Sequence, residues 1–394
     1  MKRPLDGVKV LDLGQIYQGP YCGLILSYLG ADVIKVEPPW GENVRTRTED
    51  GVPPQYQYLN ANKRAISLNF KDESGREAFT RLAEKADVVI ENYSTGTMDS
   101  LGIGYEDLQS VNPELIYGHG SGYGDDGPYA EYPAMDLTIQ AMSGVIQTTG
   151  FSDEKPVKAG PAICDFIGGV HLAVGIVSAL YERVFTGEGQ YVEVGMFDCM
   201  YPTIASPVAS WVSEMEAPPR TGNKHSGLAI APYNVYEGDD GYIAIICISE
   251  QQWESLARLM DHEDLLDDNR FDSKVKRAQH MDFIDELVSE WVADRSKNDI
   301  VAELLTEDIP CAPVQTIEEI VTDPHLEERG MLNYVPNRSF GRDEIPVPGM
   351  PIKFSGSEDP EIVPAPDLGE HTSEVLKELA DYSDEELAEL VSDE

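Results

Sequence analysis

Asp165 stands in the segment P-A-I-C-D-F-I-G-G, just after a Gly-Pro pair and at the start of an apolar helix pattern over residues 166–185. A carboxylate at a helix N-terminus is held as an anion by free backbone N–H groups and by the helix dipole. Such an anion suits a carboxylate nucleophile, and it also suits a helix-capping residue. From these residues alone, the capping interpretation is preferred.

The other residue types that carry chemistry give weaker patterns. Five cysteines are scattered without C-x-x-C spacing, which argues against a zinc ribbon or a disulfide framework. Cys164 is a second candidate nucleophile, but its apolar neighbours favour a small buried side chain. The seven histidines form no H-E-x-x-H or other paired pattern, so we expect no metal and no tightly bound cofactor.

Residues 14–29 combine a strand end, a glycine-bearing loop and a helix, and the next strand ends at Glu37. A dinucleotide-binding protein grips its ribose at such an acidic position. The loop, however, reads G-Q-I-Y-Q-G-P and lacks the middle glycine that lets a backbone approach a pyrophosphate. Pro20 also removes one N–H donor. The loop therefore argues against a bound dinucleotide.

Strand and helix patterns alternate through the first half of the chain, which is typical of parallel β–α–β units with helices on both faces. The predicted strands lie at 8–13, 32–36, 64–68, 87–90, 115–118 and 190–195, and the predicted helices at 21–29, 74–85, 136–145 and 166–185. Ligands bind at the carboxyl ends of such strands, so the polar loops 15–20, 37–47 and 91–96 are candidate binding segments.

The second half has a different character. Residues 217–232 are rich in Pro, Gly and polar side chains, as in a linker. Two strands at 233–236 and 242–248, followed by helices at 251–259 and 281–293, indicate a smaller α+β domain.

Charge distinguishes this chain of 394 residues, because 29 Lys and Arg against 71 Asp and Glu give a formal net charge of −42. Nucleic acid and anionic membranes are poor partners at this balance. Self-repulsion of this size is screened only at high salt, so we expect a salt-accumulating halophile as the source, an ordinary acidic protein being the alternative. The start of the chain lacks a signal-peptide pattern, and no unbroken apolar run is long enough to span a membrane, so we expect a cytoplasmic enzyme.

Several segments follow one another in the order and at the spacing found in family III CoA-transferases, and the chain resembles that family over nearly its whole length. These segments are G-V-K-V-L-D-L, G-P-Y-C-G-L-I-L-S-Y-L-G-A-D-V-I-K-V-E-P-P, N-K-R-A-I-S-L-N, E-N-Y-S-T-G-T-M-D-S-L-G-I-G-Y-E-D-L, S-G-Y-G-D-D-G-P-Y, A-G-P-A-I-C-D-F-I-G-G, T-G-N-K-H and D-G-Y-I-A-I. The family includes formyl-CoA transferase, carnitine CoA-transferase and α-methylacyl-CoA racemase.

The resemblance implies an α/β fold with a large Rossmann-like, doubly wound domain, a smaller α+β domain, and two chains interlocked as a homodimer. On this sequence, residues 1–215 form the first part of the large domain, 216–232 the linker and 233–325 the small domain. Residues 326–394 return to complete the large domain. The implied substrates are coenzyme A, as a thioester, and carboxylic acids.

The family nucleophile matches Asp165. The resemblance implies that this residue attacks the donor acyl-CoA to give an aspartyl anhydride and then an aspartyl-CoA thioester, which the acceptor carboxylate resolves. Two family arginines are replaced here by Pro38 and Ser100, and the candidate substitutes are Arg45, Arg47 and Arg64. The positions that match the family's CoA contacts are Tyr17, Gln18, Leu68, Asn69, Lys71, Asn92, Tyr93, Ser94, Met135 and Asp136.

Two other functions stay open beside the transferase. A racemase or isomerase of the same superfamily needs a proton-carrying His where this chain has Met135, so the transferase is favoured. A CoA-binding paralogue without activity is disfavoured by the intact aspartate. We expect succinyl-CoA as donor and a small dicarboxylate such as mesaconate, itaconate or malate as acceptor. The second carboxylate of such a substrate requires a cationic or amide partner in the protein, for which His225, Lys224 and Arg47 are candidates.

Overall fold

The structure, a computed structural model, describes residues 2–48, 51–214, 220–338 and 341–392. The chain divides by its internal contacts into two compact units. The first comprises Met1–Met142, Pro161–Pro202 and Val321–Glu394, and the second comprises Ser143–Gly160 and Thr203–Ile320. Residues 216–219 of the predicted linker lie outside the described residues.

The first unit is built on a sheet of six parallel strands. These are β1 (Lys9–Asp12), β2 (Asp32–Glu37), β3 (Arg64–Ser67), β4 (Val88–Glu91), β5 (Ile116–Ser121) and β6 (Tyr191–Gly195). Their order is β3-β2-β1-β4-β5-β6, and every neighbouring pair is parallel. This is the order of a doubly wound sheet whose direction of winding reverses between β1 and β4. The predicted parallel α/β sheet is confirmed.

Helices connect and cover these strands. In chain order they are α1 (Gln18–Tyr28), α2 (Pro54–Asn60), α3 (Glu73–Ala83), α4 (Thr97–Ser100), α5 (Tyr105–Val111), α6 (Asp136–Met142), α7 (Val145–Thr148), α8 (Ile163–Thr186), α9 (Met196–Met200), α10 (Ala205–Glu214), α11 (Glu250–Leu259), α12 (Lys274–Gln279), α13 (Met281–Val292), α14 (Lys297–Thr306), α15 (Ile317–Ile320), α16 (Pro324–Glu328), α17 (Thr372–Ala380) and α18 (Asp384–Ser392). Short 3-10 turns occur at Arg45–Arg47, Tyr201–Ile204 and Glu263–Asp267.

Alternating side chains of the sheet contribute to two hydrophobic cores, one on each face, because successive residues of a strand point to opposite faces. Leu11 of β1 belongs to a core with α3 and α5, to which Val375 and Leu376 of α17 also contribute. Val10 belongs to the opposite core with α1 and α8. Both faces of the sheet are therefore covered, as its apolar strands require.

Helix α8 begins at Ile163, three residues before the predicted start, so Asp165 lies inside its first turn. The helix ends at Thr186, and Gly187 adopts φ 72°, the left-handed conformation that closes many helices. It packs on β5, β6 and α1. Within the described residues it alone is long and apolar enough to cross a membrane, and half of its most apolar stretch is buried.

The second unit contains an antiparallel sheet formed by β7 (Tyr233–Gly238), β8 (Gly241–Ile246) and β9 (Cys311–Pro313). Helices α11, α13 and α14 cover it through a core that includes Trp253, Leu256 and Ile284. A separate hairpin of β10 (Leu332–Pro336) and β11 (Glu344–Pro348) belongs to the first unit.

Candidate active site

A cavity of about 1000 Å³ opens in the first unit beside the carboxyl ends of β1, β4 and β5. This is the crevice beside the reversal of winding, where doubly wound sheets bind ligands. Six of the predicted site residues line it, namely Gln18, Asn92, Tyr93, Ser94, Met135 and Asp165. Four loops and the first turn of α8, distant in sequence, thus share one cavity.

The other five predicted site residues lie outside its wall. Tyr17 and Asp136 contact neighbours of Asp165, as described below. Leu68 is buried in the sheet core, which leaves only its backbone for a ligand. Asn69 donates a hydrogen bond to Asp72, and the Lys71 ammonium lies 4.8 Å from the centre of an exposed indole, that of Trp40. These three residues follow β3 in the chain.

Asp165 presents a buried carboxylate to the cavity, with 9% of the residue exposed. Among the described residues, no group donates a hydrogen bond to that carboxylate. The N-cap position of α8 is occupied by Ala162, and the first-turn N–H of Cys164 is bound instead by Asp136 Oδ1 at 2.9 Å. The cap of this helix start is therefore Asp136, 28 residues before Cys164, and the Asp165 carboxylate is left available for chemistry.

The surroundings of Asp165 bring the pKa of its carboxyl group close to neutral pH. Burial raises the pKa of Asp165 to about 7, the neighbouring Asp136 carboxylate adds to the increase, and the Arg47 guanidinium opposes it. A carboxylate with this pKa is a stronger base and nucleophile than an exposed aspartate, yet it is still ionised in a substantial fraction near neutral pH.

Arg47 is placed beside this carboxylate by aromatic side chains. Its Nη1 donates a hydrogen bond to the Tyr17 hydroxyl at 3.1 Å, and its guanidinium lies 5.6 Å from the centre of the same ring. Tyr17 in turn stacks on Phe166, the residue after Asp165, with ring centres 6.0 Å apart. No carboxylate of the described chain forms an ion pair with Arg47, so its charge is available to an anionic ligand.

The other two candidate arginines are already engaged. Arg45 donates two hydrogen bonds to Glu37 at 2.8 and 2.9 Å, and Arg64 pairs with Asp32, Glu374 and Glu378. Glu37 also accepts from the Tyr56 hydroxyl at 2.9 Å and is 1% exposed, so it is closed to a ribose. These contacts agree with the argument against a dinucleotide, and they leave Arg47 as the available guanidinium of the three.

The candidates of the second unit are likewise occupied by local contacts. The Lys224 ammonium donates to Asp282 and lies 3.4 Å from Asp285. His225 Nδ1 accepts a hydrogen bond from the backbone N–H of Gly227 at 3.1 Å. Of the three candidates for a second substrate carboxylate, Arg47 is therefore the one whose guanidinium forms no ion pair within the described residues.

Buried charges brace the loop that follows β1. Lys63 Nζ lies 2.7 Å from Asp12 Oδ2, with both side chains fully buried, and Lys35 donates to the carbonyl of Gly14. The amide of Asn92 then binds Gln15 twice, accepting from its N–H at 2.6 Å and donating to its carbonyl at 3.0 Å. The predicted glycine-bearing loop is thus a rigid wall of the cavity.

Cys164 does not behave as a nucleophile in this environment. Its side chain is fully buried, and burial together with Asp136 raises the pKa of the thiol to about 12. A thiol of that pKa stays protonated at neutral pH. The interpretation as a small buried side chain is supported.

A second cavity of about 780 Å³ holds polar residues that the sequence reasoning missed. His119 Nδ1 lies 3.0 Å from Asp125 and 2.9 Å from the Tyr191 hydroxyl, while Glu91 lies 3.7 Å from its Nε2. Burial lowers the pKa of His119, but Asp125 and Glu91 outweigh it and raise the value to about 9. The residues come from three neighbouring strands and one loop, so spacing along the chain gives no signal for them.

Within the described ranges, no group of three or more His, Cys, Asp or Glu side chains is arranged to hold a metal ion.

Comparison with known proteins defines the class. A family model described as CoA-transferase family III matches residues 5–372. The chain is 37% identical over 385 residues to a succinyl-CoA:mesaconate CoA-transferase of Haloarcula hispanica, covering 95% of this chain and 96% of the relative. It is 36% identical over 385 residues to an acetyl-CoA:oxalate CoA-transferase of Acetobacter aceti, covering 96% of each. The chain belongs to CoA-transferase family III.

A solved structure gives the same result for the fold. The crystal structure of a CAIB/BAIF family protein from Brucella suis has a TM-score of 0.85 and 35% identity, and the match covers 96% of this chain and all of that one. A hypothetical protein from Mycobacterium tuberculosis matches with a TM-score of 0.83 at 29% identity, covering 95% of this chain and 99% of that one. The predicted enzyme class, transfer of CoA between an acyl-CoA and a carboxylate, is confirmed.

Proposed function

We propose that Asp165 is the nucleophile of this transferase. Its carboxylate attacks the carbonyl carbon of the donor thioester, the C–S bond breaks, and CoA leaves as a thiolate from a mixed aspartyl anhydride. The thiolate then attacks the aspartyl carbonyl, which releases the donor acid and leaves CoA bound to Asp165 as a thioester. An acceptor carboxylate repeats the two steps in reverse order and regenerates the aspartate.

One observation carries this assignment. The Asp165 carboxylate is buried, accepts no hydrogen bond from the described chain, and faces a cavity at the sheet's reversal of winding. A mostly buried carboxyl group in a cleft, with a pKa raised by burial and by a neighbouring carboxylate, is typical of a functional site. The capping role that would otherwise explain an acid at this helix start is filled by Asp136.

We propose succinyl-CoA as donor and a small dicarboxylate such as mesaconate as acceptor. Two relatives with these activities in their names are 36–37% identical over nearly the whole chain. Arg47 supports the choice, because an available guanidinium beside the nucleophile matches the free carboxylate that both substrates carry. Five of the predicted CoA contacts line the cavity, namely Gln18, Asn92, Tyr93, Ser94 and Met135. The proposal retains the other five as contacts of CoA outside the cavity wall, namely Tyr17, Leu68, Asn69, Lys71 and Asp136.

We also propose that the enzyme acts as an interlocked homodimer in the cytoplasm of a halophile. In this proposal residues 1–215 and 326–394 form the large domain, 216–232 the linker and 233–325 the small domain. Val174, Tyr181, Val184 and Phe185 form an apolar stripe on α8 and are 60–77% exposed in the single chain. A second copy of the chain is the proposed cover for this stripe. The net charge of −42 supports function at molar salt and disfavours nucleic acid or an anionic membrane as a partner.

The test is a transfer assay in molar KCl. Purified protein is incubated with succinyl-CoA and a panel of mono- and dicarboxylic acids, and new CoA thioesters are identified by mass spectrometry. We expect one dominant dicarboxylyl-CoA product with the wild-type protein and none with Asp165→Ala. Formation of no new thioester from any acid contradicts the donor assignment, and products that persist in Asp165→Ala contradict the role of Asp165.

A further inference from the structure

The side chain of Gln18 is a buried amide with an unused donor. Only 1% of the residue is exposed, and Nε2 has no hydrogen-bond partner within the part of the chain that the structure describes. An unsatisfied buried donor is destabilising, and native proteins retain few of them. Gln18 also lines the cavity that holds Asp165, so a ligand in that cavity can supply the missing acceptor.

Two glycines make room for this amide. A Cβ atom at Gly120 of β5 would lie 2.8 Å from Gln18 Cδ, and one at Gly168 of α8 would lie 2.8 Å from Nε2. A side chain at either position would displace the amide. Gly168 follows Asp165 by three residues, so the two share one face of α8. The amide donor therefore lies beside the helix face from which the nucleophile reaches into the cavity.

The backbone that carries Gln18 is fixed before any substrate binds. Gln18 is the first residue of α1, and the preceding loop is held by Asn92 through its two hydrogen bonds to Gln15. Ile16 adopts φ 65°, a left-handed conformation that β-branched residues rarely take. Strain of this kind persists only where the surrounding structure enforces it, and it concentrates at functional sites.

We propose that Gln18 is a catalytic residue whose Nε2 donates a hydrogen bond to the oxyanion formed at the acyl carbonyl. As Asp165 attacks, the carbonyl π pair moves onto the oxygen, which then bears the negative charge that Gln18 stabilises. When that pair returns, the C–S bond breaks and CoA leaves as a thiolate. A preorganised donor in a site shielded from water favours the transition state over the bound thioester.

This inference rests on the transferase function proposed above, and the experiment separates the two. Gln18→Met and Gln18→Leu replace the amide by apolar side chains of similar size. We expect kcat to fall about 10²- to 10³-fold, the range found for loss of one oxyanion donor, with the KM for succinyl-CoA within a few-fold of wild type. The midpoint of thermal unfolding should stay equal or increase, because a buried donor without a partner has been removed.

Gln57 provides the matched control. It is equally buried, but its Nε2 donates to the carbonyl of Val52 at 2.6 Å. Gln57→Met should therefore lower the unfolding midpoint and leave kcat within a few-fold of wild type. A kcat within about threefold of wild type in both Gln18 variants overturns the inference alone. Absence of transfer by the wild-type protein from every donor overturns the proposed function and the inference together.

Discussion

Two regions of the first unit treat buried polar groups in opposite ways. Around the loop after β1, buried charges form ion pairs: Lys63 with Asp12, and Arg45 with Glu37. By contrast, the Asp165 carboxylate in the first turn of α8 and Nε2 of Gln18 at the start of α1 have no hydrogen-bond partner among the described residues. Paired buried groups hold a fold together, whereas unpaired ones are tolerated where a substrate completes them. We infer that the contrast separates residues that support the site from those proposed to take part in the reaction.

The largest loss of stability is expected when a buried ion pair near the loop after β1 is broken. Lys63→Met leaves Asp12 buried without its counter-ion, which should lower the free energy of unfolding by about 3–5 kcal/mol. Urea denaturation in molar KCl measures the change. Lys85→Met, at an exposed position, is the control for loss of one positive charge. A loss below about 1 kcal/mol would mean that the pair behaves like a surface ion pair.

A gain in stability, rather than a loss, is expected when Asp165 in the first turn of α8 is replaced. The folded pKa of Asp165, about 7, exceeds its ordinary value of 3.8, so the folded state binds more protons between these limits and the contribution of Asp165 to stability falls as pH rises from 4 to 7. Asp165→Asn should therefore be more stable than wild type at pH 8, by about 4 kcal/mol from the size of the shift. The advantage should vanish near pH 4. Equal denaturation midpoints at both pH values would show that Asp165 is not held at a raised pKa.

A substrate-dependent loss is expected when the positive charge of Arg47, which lowers the pKa of Asp165, is removed. Arg47→Met should raise the KM for a dicarboxylate acceptor about 10- to 100-fold, the value of one charged hydrogen bond, and leave monocarboxylates unchanged. Arg47→Lys should recover part of the affinity. Equal increases for both classes of acid would indicate that Arg47 binds the CoA moiety instead.

The smallest effect concerns the pH profile. Since Asp165 must be ionised to attack, kcat/KM should rise with pH toward a plateau above about 7. Asp136→Asn keeps an oxygen acceptor for the Cys164 N–H but removes the negative charge that helps to raise the pKa of Asp165. We expect the rising limb to move to lower pH by roughly one unit. A limb at the same pH in both proteins would assign it to another group.

Much of the fold could be read from the sequence, because buried strands and an amphipathic or apolar helix leave local patterns. All six strands of the parallel sheet were predicted within a few residues of their positions. The start of α8 was placed three residues late, since its cap is the side chain of Asp136, which adjacent residues do not reveal. Local pattern therefore locates the elements, whereas contacts between distant residues decide how they end.

The site was less accessible to sequence reasoning for the same physical reason. Asp165 and the glycine-bearing loop stand out by their spacing, and both lie on the cavity. The sequence alone could not decide which of Arg45, Arg47 and Arg64 substitutes for the missing family arginines. The contacts that engage them involve residues up to 321 positions away in the chain. It gave no sign of the network around His119, which three strands assemble. That Gln18 Nε2 has no partner among the described residues is likewise visible only in the folded chain.

The most direct test of the central claim is to find CoA on Asp165. The protein is mixed with succinyl-CoA without acceptor, quenched in acid, digested, and mapped by mass spectrometry. The account predicts the mass of CoA on the peptide that contains Asp165, its loss on addition of hydroxylamine or of the acceptor acid, and its absence in Asp165→Asn. CoA bound to another residue, or normal turnover by Asp165→Asn, would contradict the account.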